Sequence, residues 1–386
     1  MKTYRVAILG CRGRGTAAAR AYHAHPRVQV VAVCDLVSQL RDTLGTQLGV
    51  AARYDDLDTM IREQSPDLVV IATGTEFHHD LTLRVLAHGV HVDVEKPLCT
   101  SLEEADAVLR CSRAQGVRLA VHHQGRVGSS MRAVQQALAA GRVGAARHLL
   151  GSGKGYYGGY GLMNIGTHML NNMLGVAGHC LAVSADLFTA GRRSTPQDVL
   201  LAAGGMGPVA GERIVAQLEF GGGVSGTLLQ QRFPKVDSTA YALEVLGTEG
   251  RLFWSLAQAW WSPVPHLGPG NAGQWQKLEA APVPGFVPGG PADEADYAYA
   301  HEFVTALDEG REHECGGPEG HHVMEILMGI FAAGMTGRRV TLPQPDRDHP
   351  LLRWRREAGL PPPESVPRDY GAWLAAEDAR LGRSAP

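Results

Sequence analysis

Short apolar runs alternate with amphipathic stretches through the first third of the chain. Runs such as 6–9 and 68–72 are apolar without interruption, which is typical of strands covered on both faces of a parallel sheet. The predicted strands are 5–9, 28–34, 68–72, 90–94 and 118–121, and the predicted helices are 16–25, 38–48, 57–63, 79–88 and 102–114. This alternation predicts an α/β domain with a parallel, doubly wound sheet over residues 1–122.

The pattern changes after residue 122, where strand-like runs follow one another with glycine turns between them. The predicted strands are 146–151, 180–188, 213–220, 224–231, 242–246 and 251–255, and the predicted helices are 131–140, 165–176, 297–309 and 322–336. Three glycines at 221–223 predict a hairpin. We therefore expect a second, α+β domain over 123–343 with a mostly antiparallel sheet and a Pro/Gly-rich surface excursion at 263–291. A Pro-rich tail over 344–386 carries a short helix at 370–381.

Composition narrows the class of protein. The 386 residues are 44% hydrophobic and 19% charged, which is typical of a folded globular protein and excludes disorder as the main state. The 36 Lys and Arg against 39 Asp and Glu leave no basic excess for nucleic acid. No run reaches the roughly 18–20 apolar residues of a membrane span, the start lacks a signal segment, and the six cysteines form no C-x-x-C pair. We expect a cytoplasmic protein with reduced thiols.

A glycine-rich turn, GCRGRG at 10–15, lies between the first strand and the first helix. Its outer glycines keep the spacing of the dinucleotide motif G-x-G-x-x-G, while Arg12 replaces the middle glycine. Asp35 ends the second strand, where a carboxylate accepts a hydrogen bond from the adenosine ribose and repels a 2′-phosphate. The pattern favours NAD over NADP, and the alternative is a glycine-rich turn of another α/β protein. Arg14 has two interpretations: a contact with cofactor phosphates, or a solvated cation at the helix start.

Three further motifs follow. E-K-P at 95–97 ends the strand 90–94, T-G-T at 73–75 follows an earlier strand, and N-I-G-T-H at 164–168 lies in the second domain. Together with the glycine turn they resemble the glucose–fructose oxidoreductase / inositol dehydrogenase / MocA (Gfo/Idh/MocA) family over about residues 4–343. The resemblance implies a Rossmann domain followed by a domain with an open, mostly antiparallel sheet. It also implies NAD(P)-dependent oxidation or reduction of a sugar or polyol by a homo-oligomer, which we expect to be a homodimer or homotetramer.

The resemblance assigns roles residue by residue. The family's D-x-G-x-H-x-x-D pattern becomes Asn164, Gly166, His168 and Asn171, so both aspartates are amides in this chain. The family's T-P-N loop has lost its proline and asparagine here. The cofactor-binding set implied by the motifs and the resemblance comprises Gly10, Arg12, Gly13, Arg14, Gly15, Asp35, Thr73, Gly74, Thr75, His78, Glu95, Lys96 and Gln124.

The chemistry of alcohol oxidation singles out Lys96 as the catalytic base. A base must take the hydroxyl proton, and a lysine does so only if its pKa falls well below about 10.4, as burial and a positive nicotinamide ring both promote. The alternative is a surface lysine paired with Glu95. With the resemblance, we expect His168 to orient or protonate the substrate oxygen; the alternative is a hydrogen-bonded core histidine. Asn164 donates and accepts hydrogen bonds but does not titrate.

An aromatic loop and one arginine complete the predicted substrate site. Tyr156, Tyr157 and Tyr160 precede Asn164, and aromatic faces with hydroxyls suit a carbohydrate; ordinary half-buried tyrosines are the alternative. Arg126 follows the strand that joins the domains, and we expect it to border the substrate or the nicotinamide. The 17 histidines show no metal-ligand spacing, so no metal is predicted.

These observations leave three functions open. The first is an NAD-dependent dehydrogenase or reductase of a sugar, sugar derivative or cyclitol. The second is a redox-neutral glycosidase or lyase that holds NAD and acts through a transient 3-keto sugar, and the two aspartate-to-asparagine changes keep it open. The third is a non-catalytic NAD-binding regulatory protein. In each case the expected partner is a small carbohydrate or polyol, with no nucleic acid and no membrane.

Overall fold

The computed structural model describes residues 2–266, 268–280 and 282–383. The strands are β1 (Tyr4–Leu9), β2 (Val28–Cys34), β3 (Arg53–Tyr54), β4 (Leu68–Ile71), β5 (His91–Val94), β6 (Leu119–Val121), β7 (Ala146–Ser152), β8 (Cys180–Thr189), β9 (Arg192–Arg193), β10 (Leu200–Leu201), β11 (Pro208–Val209), β12 (Arg213–Phe220), β13 (Ser225–Gln231), β14 (Ala242–Gly247), β15 (Arg251–Ser255), β16 (Gln258–Ser262), β17 (Gln276–Leu278) and β18 (Val340–Thr341). The helices are α1 (Gly13–Ala24), α2 (Ser38–Leu48), α3 (Leu57–Gln64), α4 (His78–Ala87), α5 (Leu102–Gln115), α6 (Ser129–Ala139), α7 (Gly158–Gly161), α8 (Thr167–Ala177), α9 (Glu294–Glu309), α10 (Gly317–Thr336), α11 (Pro350–Glu357) and α12 (Tyr370–Arg380).

The chain folds into two compact units that are not contiguous in sequence. The first unit comprises Met1–Cys99, Glu104–Ser129 and Ala281–His321, and the second comprises Thr100–Glu103, Ser130–Ala280 and His322–Pro386. This division differs from the predicted boundary at residues 122 and 123. The late segment with α9 belongs to the first unit because its Tyr299 and Phe303 pack in one core with Ile8 and Tyr22. The predicted tail belongs to the second unit.

The first unit is built on a parallel sheet. Its described strands lie in the order β3-β2-β1-β4-β5-β6, and every adjacent pair is parallel. This is the strand order of a dinucleotide-binding doubly wound fold, in which the order of the strands reverses between β1 and β4 and ligands bind at the carboxyl ends of these strands. The predicted α/β domain is confirmed. β4 is buried along its whole length, as its uninterrupted apolar sequence requires.

The second unit is built on a large sheet in the order β17-β16-β15-β14-β7-β13-β12-β8-β18, with β9 beside β8. Among the described strands the pairing is antiparallel except between β7 and β13. In β12 the buried residues Ile214, Ala216 and Leu218 alternate with the exposed Arg213 and Gln217, so one face of the strand is covered and the other is open. The predicted mostly antiparallel sheet is confirmed.

Some helices and strands of the structure were not predicted from the sequence. β17 lies inside the predicted surface excursion at 263–291, of which residues 267 and 281 fall outside the described part of the chain. α11 lies inside the predicted tail, where prolines masked its short amphipathic pattern. Across the described residues, every helix is too short or too polar to span a bilayer.

Candidate active site

The turn between β1 and α1 approaches the neighbouring strand so closely that only glycine fits at its two ends. Gly10 has a φ of +93°, and a Cβ at this position would lie 2.3 Å from the carbonyl oxygen of Ala72. A Cβ on Gly15 would lie 1.9 Å from the carbonyl oxygen of Gly10. The first turn of α1 therefore begins directly at the carboxyl end of β1, and its free backbone N–H groups form a cradle that suits a pyrophosphate. Arg12, in place of the middle glycine, is exposed just before this helix.

Asp35 lies directly after β2 and is fixed to the glycine turn. Its carboxylate accepts hydrogen bonds from the backbone N–H of Cys11 at 2.8 Å and of Val37 at 2.9 Å. Arg41 donates to the carbonyl oxygen of Asp35 at 2.9 Å. Because each carboxylate oxygen has two lone pairs, both keep acceptor capacity for a further donor. This is the place at which a doubly wound fold receives an adenosine ribose.

The E-K-P segment at the end of β5 is held by an arginine. Glu95 is buried and accepts a hydrogen bond from Nε of Arg14 at 2.9 Å. Arg14 also donates from Nη2 and Nη1 to the two carboxylate oxygens of Asp296, at 2.6 and 3.3 Å. Arg14 thus joins two buried carboxylates, a role that neither interpretation from the sequence included.

His122, directly after β6, connects the same carboxylate to β5. It is buried, with Nδ1 3.1 Å from Oδ2 of Asp93 and Nε2 3.2 Å from Oδ1 of Asp296. Its ring stacks on Tyr299 with centroids 4.0 Å apart, and Tyr22 donates to Asp93 at 2.9 Å. Burial alone would lower the pKa of His122, but the two carboxylates outweigh burial and raise the pKa to about 10. The side chain is therefore an imidazolium at neutral pH.

These charges determine the protonation states of the groups around Lys96. Burial alone would raise the pKa of Glu95, but the positive charges of Arg14, His122 and Lys96 hold that pKa below its ordinary value. Burial lowers the pKa of His123 to about 3, and the charges of Lys96 and His122 act in the same direction. An ionised carboxylate and a neutral imidazole thus accompany the amine; the carboxylate favours the ammonium form of Lys96, whereas the nearby cations Arg14 and His122 disfavour it.

The loop after β4 is tied to the E-K-P segment by His78. This side chain is buried, with Nδ1 2.9 Å from the carbonyl oxygen of Pro97 and Nε2 3.3 Å from the carbonyl oxygen of Thr73. Burial lowers the pKa of His78, so the ring is neutral. Gly74 and the buried Thr75 complete the loop. The structure therefore brings the predicted residues of this loop to the strand end that carries Lys96.

Gln124 and Arg126 form a short 3₁₀ turn after β6. Oε1 of Gln124 is buried and has no hydrogen-bond partner among the described residues. A buried acceptor without a donor is costly, so this atom fits a bound group that carries an N–H donor, as the carboxamide of a nicotinamide does. Among the described residues, no group of three or more His, Cys, Asp or Glu side chains is placed to hold a metal ion.

The second unit carries the amide-containing motif on an interrupted helix. Between α7 and α8 the backbone forms a π-helical segment over Leu162–Gly166, which contains Asn164. Such segments occur often at functional sites because they displace side chains from the regular helical register. Asn164 is half-buried, whereas His168 and Asn171 are buried on α8. The sequence predicted a helix starting only at residue 165, because the glycines of α7 resemble a loop.

The three predicted tyrosines occupy different environments. Tyr156 and Tyr160 are half-buried, with ring centroids 5.3 Å apart. Tyr157 is fully buried, packs edge-on against Trp373 at 5.1 Å, and donates from its hydroxyl to Glu377 at 3.3 Å. These contacts make Tyr157 a packing residue, so only its two neighbours remain candidates for contact with a substrate.

Comparison with known proteins places these features in context. Residues 4–123 match the Gfo/Idh/MocA model, an oxidoreductase family with an NAD-binding Rossmann fold. The chain is 29% identical over 189 residues to D-glucoside 3-dehydrogenase of Escherichia coli K12, a match that covers 45% of this chain and 54% of that protein. It is 31% identical over 119 residues to glycosyl hydrolase family 109 protein 2 of Akkermansia muciniphila, covering 28% and 25%. The chain thus spans about half the length of these curated relatives or less.

A solved structure extends the likeness in fold to most of the chain. Levoglucosan dehydrogenase, in a complex with NADH and levoglucosan, matches with a TM-score of 0.73 and 18% identity. The match covers 88% of this chain and 100% of that chain. At this level of identity the likeness shows a shared fold.

Proposed function

We propose that the chain is a member of the Gfo/Idh/MocA oxidoreductase family, whose model matches residues 4–123. On this premise it is an NAD-dependent enzyme that acts on a secondary hydroxyl or ketone of a sugar, sugar derivative or cyclitol. One observation supports the proposal: the first unit places a glycine cradle, an anchored acidic residue and the E-K-P segment at the carboxyl edge of one parallel sheet. NAD, when bound, accepts or returns the hydride of such a carbon.

The residues of the first unit fit this cofactor. The cradle at Gly10 and Gly15 fits a pyrophosphate. Oε1 of Gln124, which has no hydrogen-bond partner among the described residues, is an acceptor for the N–H of the nicotinamide carboxamide. Asp35 favours NAD over NADP, because a fixed carboxylate accepts from a ribose 2′-hydroxyl and repels a 2′-phosphate.

Lys96 is the proposed proton acceptor. Its amine takes the hydroxyl proton of the substrate during oxidation and returns it during reduction. The neutral His123 and the ionised Glu95 accompany Lys96 in the first unit. In the second unit, Asn164 is the proposed hydrogen-bonding group for substrate hydroxyls, and His168 the group that orients the substrate oxygen.

Replacement of Lys96 tests the proposal. We expect Lys96→Ala to lower kcat by about 10²–10⁴-fold, the usual contribution of a general acid–base group, while the Kd of NAD stays within about twofold. Formation of NADH absorbance with a panel of sugars and cyclitols measures kcat, and calorimetry measures Kd. Lys277→Ala, on the exposed strand β17, is the matched control. Wild-type rates in Lys96→Ala would contradict the assignment.

A second function is favoured by one feature of the sequence. Asn164 stands where the family has aspartate, and a glycosyl hydrolase family 109 protein is among the relatives. This alternative is a redox-neutral glycosidase that forms a transient 3-keto sugar. It predicts glycoside cleavage without accumulation of NADH and exchange of the C2 hydrogen with solvent, whereas the dehydrogenase predicts net NADH formation.

We further propose that copies of the chain assemble as a homodimer or homotetramer. The open face of β12 is a surface on which copies would pair. Light scattering during gel filtration measures the mass, and a monomer at micromolar concentration would contradict this part of the proposal.

A further inference from the structure

A buried amide in the second unit lacks a hydrogen-bond partner. Gln230, near the end of β13, is 2% exposed, and its Nε2 forms no hydrogen bond with any described residue. Folded proteins pair nearly all such donors, because burying an N–H without an acceptor is costly. An unpaired buried donor beside a candidate site therefore indicates an acceptor that binds from outside the chain.

Three glycines lie so close to this amide that a side chain at two of them would collide with it. A Cβ on Gly153 would lie 2.2 Å from Oε1 of Gln230, and a Cβ on Gly161 would lie 2.9 Å from the same atom. A Cβ on Gly166 would lie 3.6 Å from Nε2. Because Gly166 ends the π-helical segment that contains Asn164, the amide lies beside the segment proposed to bind substrate.

The C-terminal segment brings a further tyrosine to the same place. Tyr370, the first residue of α12, accepts a hydrogen bond from the backbone N–H of Tyr157 at 2.9 Å. Its ring centroid lies 4.6 Å from that of Tyr160 and 5.0 Å from that of Tyr156, and all three rings are half-buried. A Cβ on Gly161 would lie 3.5 Å from Cβ of Tyr156, so the rings adjoin the position that borders the buried amide.

α12 is firmly attached to the second unit. Arg232 donates to both carboxylate oxygens of Asp378 at 2.6 and 2.7 Å. Trp373 is buried and donates from Nε1 to the carbonyl oxygen of Leu201 at 2.8 Å. Tyr370 is therefore held in a defined position.

We propose that Gln230 and Tyr370 complete a carbohydrate subsite in the second unit. Nε2 of Gln230 donates a hydrogen bond to a hydroxyl of a pyranose or cyclitol ring, and Tyr156, Tyr160 and Tyr370 contact the apolar C–H face of that ring. This inference rests on the proposed function for its class of ligand. Neither Gln230 nor Tyr370 was predicted from the sequence.

Gln230→Met tests the donor, because methionine keeps the length of the side chain and removes the amide. The probes are the methyl glycosides of glucose, galactose and mannose, and myo-inositol, with binding to the NAD-loaded protein measured by saturation-transfer NMR. We expect the Kd of the best probe to rise about 10–100-fold, while the Kd of NAD is unchanged and Tm is unchanged or higher, since the variant loses an unpaired buried donor. Gln231→Met, the next residue of β13 and half-exposed, is the matched control.

Two further measurements separate contact with the sugar from a structural role. If the best probe is a methyl glucoside, its monodeoxy analogues identify the hydroxyl involved: one deletion weakens wild-type binding about tenfold and leaves Gln230→Met unaffected; for another probe the matching deoxy series serves. Tyr370→Leu keeps apolar volume but loses the aromatic face, and we expect it to weaken binding about 3–10-fold, whereas Tyr370→Phe retains the ring and most of the affinity.

The outcomes distinguish this inference from the proposed function. Failure of all four probes to bind the wild-type protein, or equal Kd values for wild type and Gln230→Met, overturns the subsite. A lower Tm in Gln230→Met with unchanged sugar binding also overturns it, because that result describes a structural glutamine. Probes that bind through Gln230 but are never oxidised with NAD contradict the proposed function and leave the subsite standing.

Discussion

Asp296 is the point at which the buried charges of the first unit meet. Its carboxylate accepts from Arg14 and faces Nε2 of His122, although it lies on α9, far along the chain from both partners. Asp296→Asn keeps the shape and one carbonyl acceptor but removes the negative charge. The variant therefore tests whether this ionic network holds the late segment in the first unit.

The expected cost follows from the partners that remain. Removing one member of a buried ion pair costs about 3–5 kcal/mol when the other charge is left alone. Here Arg14 keeps Glu95 and His122 keeps Asp93, so neither cation is left alone. We therefore expect Asp296→Asn to lower the free energy of unfolding of the first unit by about 2–3 kcal/mol.

The cost depends on pH in a defined direction. The folded-state pKa of His122, about 10, exceeds its ordinary value, so the stability it contributes is complete below about pH 6.5 and is lost as the pH rises through about 10. Removal of the Asp296 charge lowers the pKa of His122. The protonation of His122 therefore contributes less to the free energy of unfolding of the variant, and less of that free energy is lost as the pH rises. The difference in free energy of unfolding is thus largest near about pH 6 and smaller by about pH 9.

Hydrogen exchange measured by mass spectrometry suits this test, because it reports on each unit separately. The six tryptophans, at 254, 260, 261, 275, 354 and 373, all lie in the second unit, so intrinsic fluorescence does not follow the first. Asp308→Asn is the matched control: it lies on the same helix in a partly exposed pair with Arg27, and we expect a cost of about 1 kcal/mol or less. A cost of Asp296→Asn that matches the control, or that grows with pH, would refute the reasoning.

Three further changes test single contacts. Asp35→Asn removes the charge and leaves one oxygen to accept from only one of the two backbone N–H groups, and the ratio of kcat/KM for NAD over NADP should fall at least about tenfold. Gly15→Ala places a Cβ against a backbone carbonyl, and the Kd of NAD should rise more than about 100-fold or the first unit should fail to fold; Gly221→Ala, in an open hairpin, should leave both unchanged. Tyr157→Phe should lower the free energy of unfolding by about 1 kcal/mol and leave the KM of the sugar unchanged. Tyr156→Ala should raise that KM. A raised KM in Tyr157→Phe with an unchanged KM in Tyr156→Ala would instead assign Tyr157 to the substrate site.

Local patterns predicted the fold well. β2, α2 and β12 have the predicted bounds, because each combines a clear apolar period with a turn residue at its end. β17 escaped because three polar-flanked residues in a Pro- and Gly-rich segment carry no period of their own. α7 escaped because three of its four residues are glycine.

The candidate site was predictable only where its residues share a short motif. The glycine turn and the E-K-P segment carry their chemistry in adjacent positions. Asp296, by contrast, looks like an ordinary acidic residue in the first turn of a helix, and only the packing of α9 reveals its buried partners. Gln230 occupies an alternating strand in which nothing local distinguishes it from Gln231. Such long-range contacts are invisible to patterns that span a few residues.

The discontinuity of the first unit has a consequence for biosynthesis. Its closing piece, Ala281–His321, is translated only after about 150 residues that belong to the other unit. At about 5–20 residues per second the ribosome needs roughly 8–30 s for that stretch. Throughout this interval the nascent parallel sheet lacks the aromatic side chains of α9 that fill its core, so chaperone binding should peak before residue 300 emerges and decline once that helix arrives.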